Sequence, residues 1–236
     1  MQKISGKTQV SGLIGGNTAN SLSPYIHNFL AHKLGVDMVY TCFNVTKTDL
    51  QAAINGALAL GIAGLNITAP HKISVIKDLK RLDETANQVQ AVNLIKRSNN
   101  GFIGYNTDVY GVLCALRHYG LYDIKSATIF GAGGAARSAK VALFQMGCKK
   151  VEIIHRQPLD TAIGDLLINA TPVSILPSDN FNFFFDMNYP KEYEHKNFFD
   201  GKTMLIFQAI KAFEILWDVK ITQAIADELI LKLKGE

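Results

Sequence analysis

The stretch that most constrains this chain is residues 128–137. A β-rich run, Thr128-Ile129-Phe130, leads straight into Gly131-Ala132-Gly133-Gly134-Ala135-Ala136-Arg137, and an alanine-rich helical stretch follows. Glycine at such a junction permits a tight strand-to-helix turn and a close backbone approach to a ligand, while the helix N-terminus favours an anion. G-x-G-G-x-A between a strand and a helix is a variant of the dinucleotide fingerprint, in which that anion is a pyrophosphate. The bland alternative is a tight βα turn that holds nothing. The next strand runs into His155-Arg156-Gln157. An acidic residue there would take the ribose 2′-hydroxyl of NAD, whereas Arg156 favours a 2′-phosphate and therefore NADP.

Elsewhere short β-rich runs alternate with helical periodicity. Strands are expected at 8–15, 38–45, 63–67, 127–130, 151–154, 166–169 and 181–187. Helices are expected at 24–34, 49–60, 73–79, 109–119, 135–146, 202–215 and 219–234, and a hairpin joins 91–96 to 101–105 across Ser98-Asn99-Asn100-Gly101. This alternation predicts α/β architecture with parallel sheets. Residues 1–107 read as one domain, completed by about 208–236, and 108–207 as a second, with a cleft between the two lobes. Only 12 residues, 157–168, separate Arg156 from Asn169. A crossover helix alone needs about a dozen, so the second lobe is expected to be shortened and its sheet to lack a strand.

Composition narrows the class further. Apolar residues make up 48% and charged residues 19% of the 236, a globular balance that argues against disorder. Three widely spaced cysteines, Cys42, Cys114 and Cys148, exclude a disulfide framework or a paired-cysteine metal knuckle and read as small buried apolar residues. The 6 histidines show no metal spacing. A net charge of +4 is too mild to indicate nucleic acid and suits an anionic small molecule. No apolar run approaches a membrane span, and Met1-Gln2-Lys3-Ile4-Ser5-Gly6 lacks a secretory apolar region. A cytoplasmic protein, monomeric or homodimeric, is expected.

Several polar groups stand out. Ser21-Leu22-Ser23-Pro24 precedes the first helix, with Pro24 suited to its first position and Ser23 to its cap. A hydroxyl pair beside a helix N-terminus also suits a carboxylate. In Asn66-Ile67-Thr68-Ala69-Pro70-His71-Lys72, Asn66 and Thr68 alternate onto one side of an extended segment. Lys72 follows closely and could donate and accept a proton if its surroundings tune it. Asn93 and Asp108 lie at strand ends, where a turn-forming role is equally available, and Asp108 would also cap the helix at 109–119.

Taken together these residues resemble the shikimate dehydrogenase family. The landmarks SLSP (21–24), NITAPHK (66–72), DETA…AVN (83–93), GYNTD (104–108), GAGGAAR (131–137), NATP (169–172), DMNY (186–189) and GxxMLxxQAxxAFxxW (201–217) occur in the family's order across nearly the whole chain. The resemblance implies an N-terminal α/β substrate domain, a Rossmann-like NADP domain and C-terminal helices returning to the substrate domain. It implies reversible, NADP-dependent reduction of 3-dehydroshikimate to shikimate in aromatic amino-acid biosynthesis. It assigns Lys72 and Asp108 to catalysis, Ser21 and Ser23 to the substrate carboxylate, and Asn66, Thr68, Asn93 and Gln208 to ring hydroxyls, with Tyr189 near the substrate. Gly131, Gly133, Gly134, Ala135, Arg156, Thr171 and Met204 match cofactor positions. The chain departs from the family at Leu94, usually Thr, at His155 and Gln157, usually Asn and Thr or Ser, and in the shortened 157–168 segment. A quinate/shikimate paralogue using NAD and a slow-turnover binding relative are the alternatives.

Overall fold

In the computed structural model of the chain, the described residues are 4–155, 163–176, 179–189, 193 and 196–234. Two compact units divide it: residues 1–107 with 209–236, and residues 108–208.

The first unit is built on a six-stranded mixed sheet, described here with the helices that cover it. Its elements are β1 (Gln9–Gly15), α1 (Ser23–Leu34), β2 (Met38–Asn44), α2 (Leu50–Ala59), β3 (Gly64–Ile67), β4 (Arg81–Leu82), α3 (Glu84–Val89), β5 (Leu94–Ser98) and β6 (Gly101–Tyr105). The order is β2-β1-β3-β5-β6-β4. β1 pairs in parallel with β2 and β3, as helical crossovers require, and the β5–β6 hairpin introduces the antiparallel pairs. α1 forms because Ile26, Leu30 and Ala31 recur on one face and are buried, and it stops at Gly35, whose φ of 66° favours glycine. Phe102, Leu65, Ile67, Ile95 and Val92 fill the core between the sheet and α2.

The second unit holds α4 (Asp108–His118), β7 (Ser126–Phe130), α5 (Gly134–Gln145), β8 (Lys150–Ile154), β9 (Gly164–Asn169), β10 (Phe181–Asp186), β11 (Phe198–Phe199) and the start of α6 (Lys202–Trp217). Its five strands are all parallel, in the order β11-β10-β9-β7-β8. β9 and β10 each carry an unbroken apolar triplet, Leu166-Leu167-Ile168 and Phe183-Phe184-Phe185, as parallel strands of a covered sheet favour. Among the described residues the order is that of a Rossmann-type sheet without the strand that normally lies outside β8. Among the described residues β8 pairs with β7 alone.

α6 leaves the second unit at Gln208 and continues in the first, where Ala212 and Leu216 pack on Leu94 and the helix α7 (Gln223–Lys234) follows. At Gly64 a Cβ would lie 2.3 Å from Leu216 Cδ2 and 2.5 Å from the Ile95 carbonyl, so α6 sits against β3 where only glycine fits. No helix among the described residues is long and apolar enough to cross a membrane.

Several local expectations are corrected. Ser23 is not a cap: Leu22 occupies that position without a side-chain bond, and Ser23 is the first helical residue, its N–H donating to Ser21 Oγ at 3.2 Å. Asp108 likewise begins α4 rather than preceding it. Residues 73–79 form a single 3₁₀ turn, Ser74–Asp78, too short to continue as an α-helix. The strand expected at 91–96 starts at Leu94. Cys42 and Cys114 are only half-buried, and Cys148 alone is buried.

Candidate functional site

In the first unit, Asn66 lies on β3 and is 4% exposed. Its Nδ2 donates to the Asn93 carbonyl at 3.2 Å, and its Oδ1 accepts from the Tyr40 hydroxyl at 2.9 Å. A carbonyl only accepts, so Asn93 dictates which way the Asn66 amide faces, and Tyr40 must then donate. Asn93 is fixed in turn: its Oδ1 accepts the Thr107 N–H at 2.7 Å and its Nδ2 donates to Thr107 Oγ1 at 2.9 Å.

Thr68 sits one alternation beyond Asn66 and presses its methyl against Gly15, where a Cβ would come within 2.5 Å. The loop onward is pinned at both ends of Lys72. His71 Nε2 lies 2.8 Å from the Val45 carbonyl, and the Lys72 carbonyl accepts from Val92 N–H at 2.7 Å, beside Asn93. Asn66, Thr68, Asn93 and the backbone of Lys72 therefore converge at the ends of β1, β3 and β5. Ser21 and Ser23 lie at the start of α1, which Asn28 ties to β2 through two hydrogen bonds to the Tyr40 backbone.

One turn after Ser23, His27 is wholly buried and stacks flat on Tyr40, with ring centroids 4.2 Å apart. Burial pushes its pKa down to about 3, because no partner compensates the charged form. Both ring nitrogens lack a hydrogen-bond partner among the described residues.

In the second unit, Gly131 has φ +128°, a conformation open to glycine and costly for other residues. A Cβ on Gly133 would meet nothing within 4 Å. Gly133 caps α5 with no side-chain bond, and no acidic residue stands in the first turn. The first N–H groups of α5, flanked by Gly134 and Ala135, are thus available to an anion, and the turn fits a pyrophosphate. Met204 and Gln208 are stacked along α6 against Gly111, where a Cβ would lie 2.8 Å from the Met204 carbonyl and 2.9 Å from Gln208 Cβ. Asp108, 3% exposed, is three residues before Gly111 and shares that face of α4. Thr171 follows β9 and Tyr189 follows β10, both at the C-terminal ends of parallel strands, where ligands of open α/β sheets bind. Arg156 lies outside the described residues, as do residues 157–162 of the shortened segment after it. No cluster of three or more metal-type ligands occurs among the described residues.

The residue pattern does not single out Tyr40 or Thr107 as partners of the site. Thr107 carried a signal in its place beside Asp108, and Tyr40 carried none beyond being a polar aromatic on a buried strand.

Fold and residues place the chain among two-unit α/β proteins with a Rossmann-type sheet and a dinucleotide turn. Residues 13–95 match the model described as the shikimate dehydrogenase substrate binding domain. The chain is 41% identical over 157 residues to the shikimate dehydrogenase (NADP(+)) of Gloeothece citriformis, a match covering 66% of this chain and 54% of that protein. It is 34% identical over 210 residues to that of Methanococcus maripaludis, covering 78% and 75%. The structure of the Thermus thermophilus enzyme in complex with NADP(H) and shikimate superposes with a TM-score of 0.85 at 25% identity, over 95% of this chain and 99% of that one. The chain belongs to the shikimate dehydrogenase family, and it spans about half the length of the first of these curated relatives.

Proposed function

We propose that the protein is an NADP-dependent shikimate dehydrogenase that interconverts 3-dehydroshikimate and shikimate. The observation that carries this reading is the convergence of Asn66, Asn93, Thr68 and Lys72 in one unit of a chain whose other unit presents a bare glycine turn at a helix N-terminus. The names of the relatives, and the Thermus thermophilus complex with NADP(H) and shikimate, support both ligands.

The chain's own groups divide the work. Ser21 and Ser23 receive the carboxylate at the start of α1. Asn66, whose amide direction is preset, has one N–H and one lone pair left for a ring hydroxyl. Thr68, Asn93 and Gln208 supply further donors and acceptors. Lys72 donates a proton to the carbonyl oxygen as negative charge develops there, and Asp108 is the second catalytic group. Gly131, Gly133, Gly134 and Ala135 would hold the pyrophosphate of NADP, with Thr171 as a further cofactor contact, Met204 beside its nicotinamide and Arg156 at the 2′-phosphate. The cofactor, when bound, supplies or accepts the hydride.

The test is steady-state turnover of shikimate, followed by nicotinamide absorbance, with NADP+ and NAD+ in parallel and quinate as a second acid. Turnover is expected with shikimate and NADP+. Binding of either ligand without turnover would overturn the proposal.

A further inference from the structure

The second unit contains a buried carboxylate that no step above uses. Asp186 closes β10, lies opposite Asn169 in the β9–β10 register, and has no exposed surface. Its Oδ2 accepts from Asn169 Nδ2 at 3.1 Å and from the Tyr193 hydroxyl at 2.8 Å. Its Oδ1 accepts from the Asn188 backbone N–H at 2.9 Å and from Asn188 Nδ2 at 2.6 Å. Four donors satisfy one carboxylate, which is what a buried charge requires.

The two asparagines gripped by Asp186 both turn their remaining capacity on Thr171. Asn169 Oδ1 accepts the Thr171 N–H at 3.1 Å and its hydroxyl at 2.8 Å, while Asn169 Nδ2 also donates to the Val173 carbonyl at 2.8 Å. Asn188 Nδ2 donates to the Thr171 carbonyl at 2.6 Å. The backbone N–H, hydroxyl and carbonyl of Thr171 are thus all held by side chains that Asp186 holds. Thr171 in turn bounds the glycine turn: a Cβ on Gly131 would lie 3.0 Å from Thr171 Cγ2 and 3.1 Å from the Ala170 carbonyl. The same β10 turn abuts the start of α6, since a Cβ on Gly201 would lie 2.2 Å from the Met187 carbonyl.

We infer that Asp186 is a positioning residue for the cofactor, setting the Thr171 loop against Gly131 through Asn169 and Asn188. The inference rests on the dinucleotide reading above. The carboxylate is suited to this because it is acceptor-only on both oxygens, so that two amide groups, one at the end of β9 and one just beyond β10, are drawn to one point with their NH₂ ends inward. Their orientations are then fixed, and Asn169 must present its oxygen to Thr171. An amide at 186 would offer only one accepting oxygen and would set an NH₂ group against a donor on the other side.

The test uses the full chain and two readouts: NADPH binding by nicotinamide fluorescence, and amide hydrogen exchange at Thr171 without cofactor. Asp186→Asn is expected to weaken NADPH binding about tenfold or more and to speed Thr171 exchange by a similar factor, leaving the KM for shikimate within about twofold. Asn188→Ala, at a half-buried position, removes the hold on the Thr171 carbonyl together with one of the four donors to Asp186, and is expected to weaken NADPH binding severalfold; it carries the test if Asp186→Asn does not fold. Tyr193→Phe removes a bond to Asp186 that does not lead to Thr171, and is expected to leave NADPH affinity within about twofold even where stability falls. Wild-type NADPH affinity and wild-type Thr171 exchange in Asp186→Asn and Asn188→Ala would overturn the inference. A wild-type chain that binds no NADPH would instead overturn the functional reading, and the cofactor role inferred here with it. The exchange experiment separates the two, since it reads the hold on Thr171 with no ligand present.

Discussion

The Tyr40 hydroxyl donates to Asn66 Oδ1 from across an intervening strand: Tyr40 pairs with Ser11, Asn66 pairs with Leu13, and β1 lies between them. Asn66 is buried, and removing the Tyr40 donor leaves its amide oxygen short of a partner. Tyr40→Phe keeps the ring that stacks on His27. It is expected to lower stability by about 1–2 kcal/mol and to raise the KM for shikimate severalfold with little change in that for NADP+. Thermal melts and steady-state kinetics check both parts, and an unchanged KM for shikimate would mean that Asn66 does not need Tyr40.

Lys72 is held at its backbone, which makes its side chain the replaceable part. Lys72→Ala is expected to reduce kcat by about 10²–10⁴, the range typical of general acid–base groups, with a much smaller rise in KM. Turnover surviving within a few-fold would remove Lys72 from the proton-transfer step.

His27 links stability to pH with a definite sign. Its pKa falls from 6.5 to about 3 on folding, so the unfolded chain binds the extra proton between those values. The contribution of the neutral ring is whole above about pH 6.5 and is lost as pH falls toward 3, with a limiting slope of about 1.4 kcal/mol per pH unit. His27→Phe preserves an aromatic face against Tyr40 and has no proton to bind. Its stability, measured by denaturant unfolding from pH 7 to pH 4, is expected to fall less steeply than that of the wild type. Parallel curves would show that His27 is not buried neutral.

Gly131→Ala places a methyl group at φ +128° and 3.0 Å from Thr171 Cγ2. Strain of about 1–2 kcal/mol is expected from the backbone alone, together with loss of NADPH binding, while shikimate binding to the other unit's residues persists. Calorimetric titration with each ligand separates these effects.

How much of this is legible in the sequence depends on the range of the interactions involved. The β7–α5 turn is written in consecutive residues, so Gly131, Gly133 and the flanking periodicities announce it. The helices α1, α5 and α6 are legible for the same reason, through apolar faces at three- and four-residue spacing. Ser23 misleads because a serine before proline is compatible both with a cap and with a first helical turn, and the choice is made by Ser21 Oγ. β4 is too short to carry a pattern. The pairing of Tyr40 with Asn66 and of Asp186 with Asn169 is illegible for a different reason: the partners are 26 and 17 residues apart and meet only through strand register. α3 had a local signal, the capping bond from the Ala86 N–H to Asp83 Oδ1, within the DETA landmark.

Among the described residues β8 has a neighbour on one side alone, and this bears on how the protein behaves among copies of itself. A strand that is sheltered in a six-stranded sheet becomes a border in a five-stranded one, and a border is a template on which another chain can lengthen the sheet. Lys150 and Glu152 stand exposed along it, alternating with the half-buried Val151 and Ile153. Charges of both signs at every second position make that border a poor match for an apolar strand, so Lys150 and Glu152 guard the sheet against lengthening by another chain.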